Sequence, residues 1–202
     1  MAFSSRSSAT DVLRGVDLSG RTYLVTGSNS GLGLETVRAL RSAGAAVYGA
    51  ARSVEKGREA LAQAGVEGVT CLALELADLA SVRACVDELA RANVRLDAVL
   101  CNAGIMALPK LELVNGIERQ FYTNHVGHAA LVLGIVERGL LKEDGRVVMT
   151  SSGLHSSGRK QGLDVTNLDY HNGDYSPWLA YGNSKQANVL FEMLWRAISK
   201  PV

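Results

Sequence analysis

Two patterns of apolar and polar positions alternate along the chain. Short, mostly apolar runs occur at residues 23–25, 46–51, 69–74, 96–101 and 146–150, which predicts five buried strands. Between and after them, residues 31–43, 54–64, 81–92, 117–136 and 180–198 read as helices, the second of them polar. In the 81–92 segment, Val82, Cys85, Val86 and Leu89 fall on one face, as a buried stripe requires. Strands that are apolar throughout are covered on both sides, so the alternation predicts a parallel sheet between two layers of helices. Right-handed crossovers make this a doubly wound α/β fold of one domain.

The chain has 202 residues, enough for one sizeable core and short for two full domains. Hydrophobic residues are 47% and charged residues 20%, a balance that argues against disorder. With 21 basic and 20 acidic residues the formal net charge is +1, so no basic excess exists to hold a nucleic acid. No apolar run is long enough for a membrane span. Residues 1–17 read as an N-terminal extension, Ser-rich at its start and lacking the apolar stretch of a secretory signal. Cys71, Cys85 and Cys101 are odd in number and widely spaced. They suit neither a disulfide framework nor a zinc site, and they fit a reducing, cytoplasmic compartment.

The chemistry begins at Thr26-Gly27-Ser28-Asn29-Ser30-Gly31-Leu32-Gly33, directly after the first strand and opening the first long helix. Glycines allow a sharp turn and close backbone approach to a diphosphate. The helix N-terminus adds free N–H groups and a partial positive charge. Three residues separate the first two glycines, where the commonest dinucleotide fingerprint has one. A ligand-free glycine turn is the alternative reading.

The end of the second strand tests what lies beyond the diphosphate. An acid there would hold the ribose hydroxyls of NAD. This chain has Arg52, then Ser53. A guanidinium suits a 2′-phosphate, so NADP is favoured over NAD, with NAD still possible.

Tyr181 and Lys185 stand four apart at the start of the last helix, hence on one face. A lysine ammonium near a phenol favours the phenolate, and such a tyrosine can exchange a proton with an alcohol or carbonyl. The spacing alone is weak evidence. Its place after the fifth strand, which Ser151-Ser152 closes, gives it weight.

Together these segments, with Asn102-Ala103-Gly104 after the fourth strand, resemble the classical short-chain dehydrogenase/reductase family. Thr123-Asn124-His125-Val126-Gly127-His128, Trp178-Leu179-Ala180-Tyr181 and Ala187-Asn188-Val189-Leu190-Phe191 are most similar to its retinol-dehydrogenase-like and WW-domain-oxidoreductase-like branch. The resemblance covers about residues 18–198.

The resemblance implies an NAD(P)-dependent oxidoreductase that interconverts a small-molecule alcohol and a carbonyl. It implies four catalytic positions: Tyr181 as general acid/base, Lys185 on the nicotinamide ribose, Ser152 on the substrate oxygen, and Asn124 anchoring a water beside Lys185. It implies cofactor contacts from Gly27, Ser28, Asn29, Ser30, Gly31, Leu32, Gly33, Arg52, Glu75, Leu76, Asn102, Ala103, Gly104, Tyr181 and Lys185. Glu75-Leu76-Ala77 stands where many relatives have Asp at the adenine, with Asp78 as a nearby substitute. Cys101 replaces a frequent Asn and reads as a small core residue. His125 and His128 read as packing or polar groups, not metal ligands. His155 is expected at the substrate mouth, and residues 156–176 as a loop over the active site.

Relatives continue past the Tyr–Lys helix with two more strands and a substrate lid, whereas this sequence stops at Val202. A fragment, a shortened product, or a chain completed by a partner all fit. Leu190, Phe191, Leu194 and Ile198 form an apolar stripe expected to promote self-association, as a homo-oligomer or otherwise. The alternative function is a catalytically silent protein that binds nucleotide or a partner only.

Overall fold

The computed structural model describes residues 3–4, 6–157, 162–173 and 175–198. Its five-stranded sheet contains β1 (Thr22–Thr26), β2 (Ala46–Ala51), β3 (Val69–Ala73), β4 (Leu96–Cys101) and β7 (Leu141–Met149). The strand order is β3-β2-β1-β4-β7, and each of the four neighbouring pairs is parallel. Helices α2 (Gly31–Ser42) and α3 (Val54–Gln63) cover one face. Their layer buries Val37, Leu40 and Leu61 against Val25 and Val47. Helices α4 (Leu79–Arg91) and α6 (Gly127–Glu137) cover the other, with Val86, Leu89, Leu131 and Ile135 packed on Leu24, Leu72 and Val99. This is the doubly wound fold that the patterning predicts. Its strand order reverses between β1 and β4, which opens a crevice at their C-terminal ends.

The strand starts are joined by one buried carboxylate. Asp97 accepts hydrogen bonds from Arg21 at 2.6 Å, Lys142 at 2.7 Å and the Thr22 N–H at 2.8 Å. Burial works to raise its pKa, but these donors outweigh that effect and hold it at about 2. Asp97 therefore ties β1, β4 and β7 together at the end of the sheet away from the crevice.

Several boundaries differ from the sequence reading. Residues 117–136 are not one helix. Asn115 and Gly116 both have positive φ, +50° and +79°, and turn the chain between β5 (Leu113–Val114) and β6 (Ile117–Glu118). An Asn-Gly pair is a strong hairpin signal, and here its hairpin replaces the start of the expected helix. Glu118 then caps α5 (Arg119–Phe121), which passes through a π-turn, Tyr122–Val126, into α6. Strand β7 starts at Leu141 instead of residue 146, with a register irregularity opposite Leu96 and Ala98. Its polar start was hidden because Lys142 is held by Asp97 rather than by apolar packing. The last helix, α7 (Pro177–Ile198), starts with proline, a residue preformed for the first helical turn. A short helix, α1 (Ala9–Leu13), lies in the N-terminal extension, closed by a Ser8–Asp11 capping box.

Candidate active site

A cleft of about 400 Å³ lies at the crevice, lined by the glycine turn, the ends of β2 and β3, and Asn102-Ala103-Gly104. Gly27 has φ +68°, and a Cβ there would lie 3.0 Å from the Ala103 Cα. At Gly33 a Cβ would meet the Gly27 carbonyl oxygen at 2.1 Å, so helix and turn touch backbone to backbone. Gly31 has φ +53° and open space around it. Ser30, the N-cap of α2, makes no side-chain capping bond. By contrast, Ser53 and Asp78 cap α3 and α4. The first N–H groups of α2 thus carry no side-chain acceptor from their N-cap and suit an anion.

Asn29, Ser30, Leu32, Arg52, Glu75 and Leu76 also line the cleft. Ser28 does not face it. Its hydroxyl is fully buried and donates to the Ala50 carbonyl at 3.4 Å. Glu75 accepts from the Ala77 N–H, and Asp78 is committed to the Ala80 N–H at the start of α4. Asp78 is therefore a helix cap and no lining residue of this cleft.

The hydroxyl of Thr26 ends β1 and receives the N–H groups of Asn102 and Ala103, both at 3.0 Å. His128 Nε2 lies 2.9 Å from the same oxygen. Asn102 adds a side-chain bond to the Thr26 carbonyl. This fixes the end of β4 against the glycine turn.

Gly104 brings the cleft to the catalytic candidates. A Cβ there would sit 3.2 Å from Asn124 Oδ1 and 3.6 Å from Lys185 Nζ. The Asn124 side chain grips Ile105 twice, accepting from its N–H and donating to its carbonyl, each at 2.9 Å. It also donates to the Ser184 hydroxyl at 3.0 Å. Lys185 is buried and donates to the Thr150 carbonyl at 3.0 Å, with burial pushing its pKa down. Its ammonium stands 5.5 Å from the centre of the Tyr181 ring, one turn earlier on α7. The adjacent serines have different surroundings. Ser151 donates to the Lys185 carbonyl, fastening α7 to the end of β7. Ser152 accepts from the Leu154 N–H, and among the described residues its own proton has no acceptor. His155 bonds the Ser152 carbonyl from the short 3₁₀ turn Gly153–Ser157.

A family model described as short chain dehydrogenase matches residues 21–163. The chain belongs to the short-chain dehydrogenase family. It is 46% identical over 184 residues to a probable oxidoreductase of Streptomyces antibioticus, covering 87% of this chain and 59% of that protein. It is 38% identical over 200 residues to the WW domain-containing oxidoreductase of Drosophila melanogaster, covering 94% of this chain and 48% of that one. A solved structure from Mycobacterium paratuberculosis, an uncharacterized protein, superposes with a TM-score of 0.81 at 38% identity, covering 96% of this chain and 67% of that chain. The chain thus spans between about half and three-fifths of the length of these two curated relatives.

In this short-chain dehydrogenase, sequence reasoning passed over three supporting residues. Asn188 is buried and donates to the carbonyls of Asn124 and Thr150, while Ser184 receives the Asn124 amide. Their signal was positional: Asn188 stands three after Lys185, hence on the same helix face. Buried Gln120 joins the Ala107 N–H to the Pro177 carbonyl at the start of α7. The expected apolar stripe is only partly free. Leu190 and Leu194 are exposed, but Phe191 packs on the core and stacks with Trp195. The Ile198 side chain lies outside the described residues.

Proposed function

We propose that this chain is the nucleotide-binding and catalytic portion of an NADP(H)-dependent oxidoreductase that interconverts an alcohol and a carbonyl. The observation that carries the reading is the closeness of Gly104, in the wall of the cleft, to Asn124 and Lys185, which a Cβ there would meet at 3.2 and 3.6 Å. It joins a diphosphate-shaped turn to the tyrosine–lysine pair. The uncapped start of α2 would hold the diphosphate, and the backbone of Asn102-Ala103-Gly104 would flank the cofactor. Arg52 would take the 2′-phosphate; among the described residues no carboxylate is ion-paired with it. When bound, the nicotinamide supplies or accepts the hydride. Lys185 would hold its ribose, Tyr181 would move the proton at its phenol oxygen, and Ser152 would donate to the substrate oxygen. Exposed Leu190, Met193 and Leu194 on α7 support self-association through that helix.

Tyr181→Phe tests the chemistry. It keeps the ring and removes the transferable proton, so carbonyl reduction with NADPH should fall about 10²–10⁴-fold while NADPH still binds. Near-normal turnover would refute the mechanism. A wild-type chain that binds NADPH but reduces no member of a broad carbonyl panel would support the silent-binder alternative.

A further inference from the structure

We propose that His128 is a positioning residue, a rigid link that sets the nucleotide-side turn at Thr26 against the Asn124 carbonyl and, through Asn188, the carbonyl that holds Lys185. The proposal rests on the dinucleotide-dependent reading above.

The hydrogen-bond directions follow from what each group is able to do. Nδ1 of His128 lies 3.0 Å from the Asn124 main-chain carbonyl, which only accepts, so Nδ1 carries the proton. Nε2 is then an acceptor, and the Thr26 hydroxyl, 2.9 Å away, donates to it in preference to the Leu100 carbonyl at 3.5 Å. With that proton committed, the two lone pairs of Thr26 Oγ1 face the N–H groups of Asn102 and Ala103. One directional chain results, from the backbone of Asn102 and Ala103, through Thr26 and His128, to Asn124. Every polar atom of the Thr26–His128 pair has a use in it.

The far end continues to the lysine. The Asn124 carbonyl sits in the π-turn, and Asn188 Nδ2 also donates to it, at 3.3 Å. The same Nδ2 donates at 3.1 Å to the Thr150 carbonyl, the acceptor of Lys185 Nζ. Oδ1 of Asn188 accepts from His125 Nδ1 at 3.1 Å, which fixes which way the amide points. The glycine turn in the cleft wall and the lysine helix behind Gly104 thus meet on one carbonyl. His128 is 1% exposed, so no water replaces its bonds if the ring is removed. Burial, with the Lys185 charge assisting, holds its pKa at about 4, so the ring is neutral at physiological pH.

His128→Leu keeps bulk and removes both bonds, whereas His128→Gln keeps a donor and an acceptor. The dissociation constant for NADPH, measured by calorimetric titration, should rise about tenfold in His128→Leu, the scale of one lost buried hydrogen bond, and recover in His128→Gln. Val132→Ala, a buried cavity on the same helix, is the control for stability alone: it should lower the melting temperature and leave NADPH binding unchanged. Normal binding in His128→Leu, or equal weakening in Val132→Ala, would overturn the proposal. Long-range proton–nitrogen spectra of the wild type test the link without any variant. A proton on Nδ1 is expected, and a proton on Nε2 instead would overturn it even if His128→Leu fails to fold. A wild type that bound neither NADPH nor NADH would strike at the functional reading instead, an outcome distinct from a normal wild type with an indifferent His128→Leu.

Discussion

Lys185 reaches across from α7 to the Thr150 carbonyl at the end of β7, 3.0 Å from its Nζ. This bond uses one of its three N–H donors and aims the ammonium beside Gly104 at the cleft wall. Among the described residues no carboxylate is ion-paired with it, and burial pushes its pKa down. Lys185→Met keeps most of the stem and removes the donors. Turnover should be lost by about 10²-fold or more, and NADPH should bind more weakly. Steady-state kinetics with calorimetric titration would check this, and unchanged binding would detach the lysine from the cofactor.

Arg52 should set the choice of cofactor. A charge-assisted bond to phosphate is worth about one to two decades of affinity. Arg52→Asp should erase or reverse a preference for NADPH over NADH. Equal binding of the two by the wild type would refute the assignment.

Two glycines should respond in opposite ways to alanine. Gly33→Ala drives a methyl to 2.1 Å from the Gly27 carbonyl oxygen, so the turn must shift. NADPH binding should fall by more than about tenfold and the melting temperature should drop. Gly57, inside α3, would place its methyl 3.7 Å from the Ala51 Cβ and 3.8 Å from the Cys71 sulfur, ordinary contacts. Gly57→Ala should stabilise the chain by about 0.5–1 kcal/mol through helix propensity. Thermal melts of both variants decide.

Acid should destabilise the chain in two windows. The His128 pKa falls from 6.5 to about 4 on folding, so the unfolded state binds the extra proton first. Above pH 6.5 the ring is neutral in both states and costs nothing; as pH falls from 6.5 toward 4, protonation of the unfolded state costs the fold up to about 3 kcal/mol. Asp97 falls from 3.8 to about 2, so its contribution, about 2 kcal/mol, is present above pH 4 and lost as pH drops through 2. Urea unfolding across this range should lose the first step in His128→Gln and the second in Asp97→Asn. Persistence of either step in its variant would refute that assignment.

The five-stranded sheet, its helical layers and the glycine turn are legible along the chain. Each is written in local terms: apolar runs such as 96–101, the Val82–Leu89 stripe, and glycines where backbone touches backbone. The Tyr181–Lys185 pair was legible because four residues make one helical turn. The break in the 117–136 segment is signalled locally by Asn115-Gly116, where φ is positive at both residues. Packing between distant segments placed Ser28 away from the cleft and gave Ser151 to α7, while Asp78 caps its own helix and Ser152 accepts from Leu154. It also brought Thr26, His128, Asn124 and Asn188 together. Thr26 and His128 lie 102 positions apart, and Asn124 and Asn188 lie 64 apart. Hydrogen bonds across such distances leave no periodic trace in a sequence, because they depend on which faces the sheet and its helices turn toward one another.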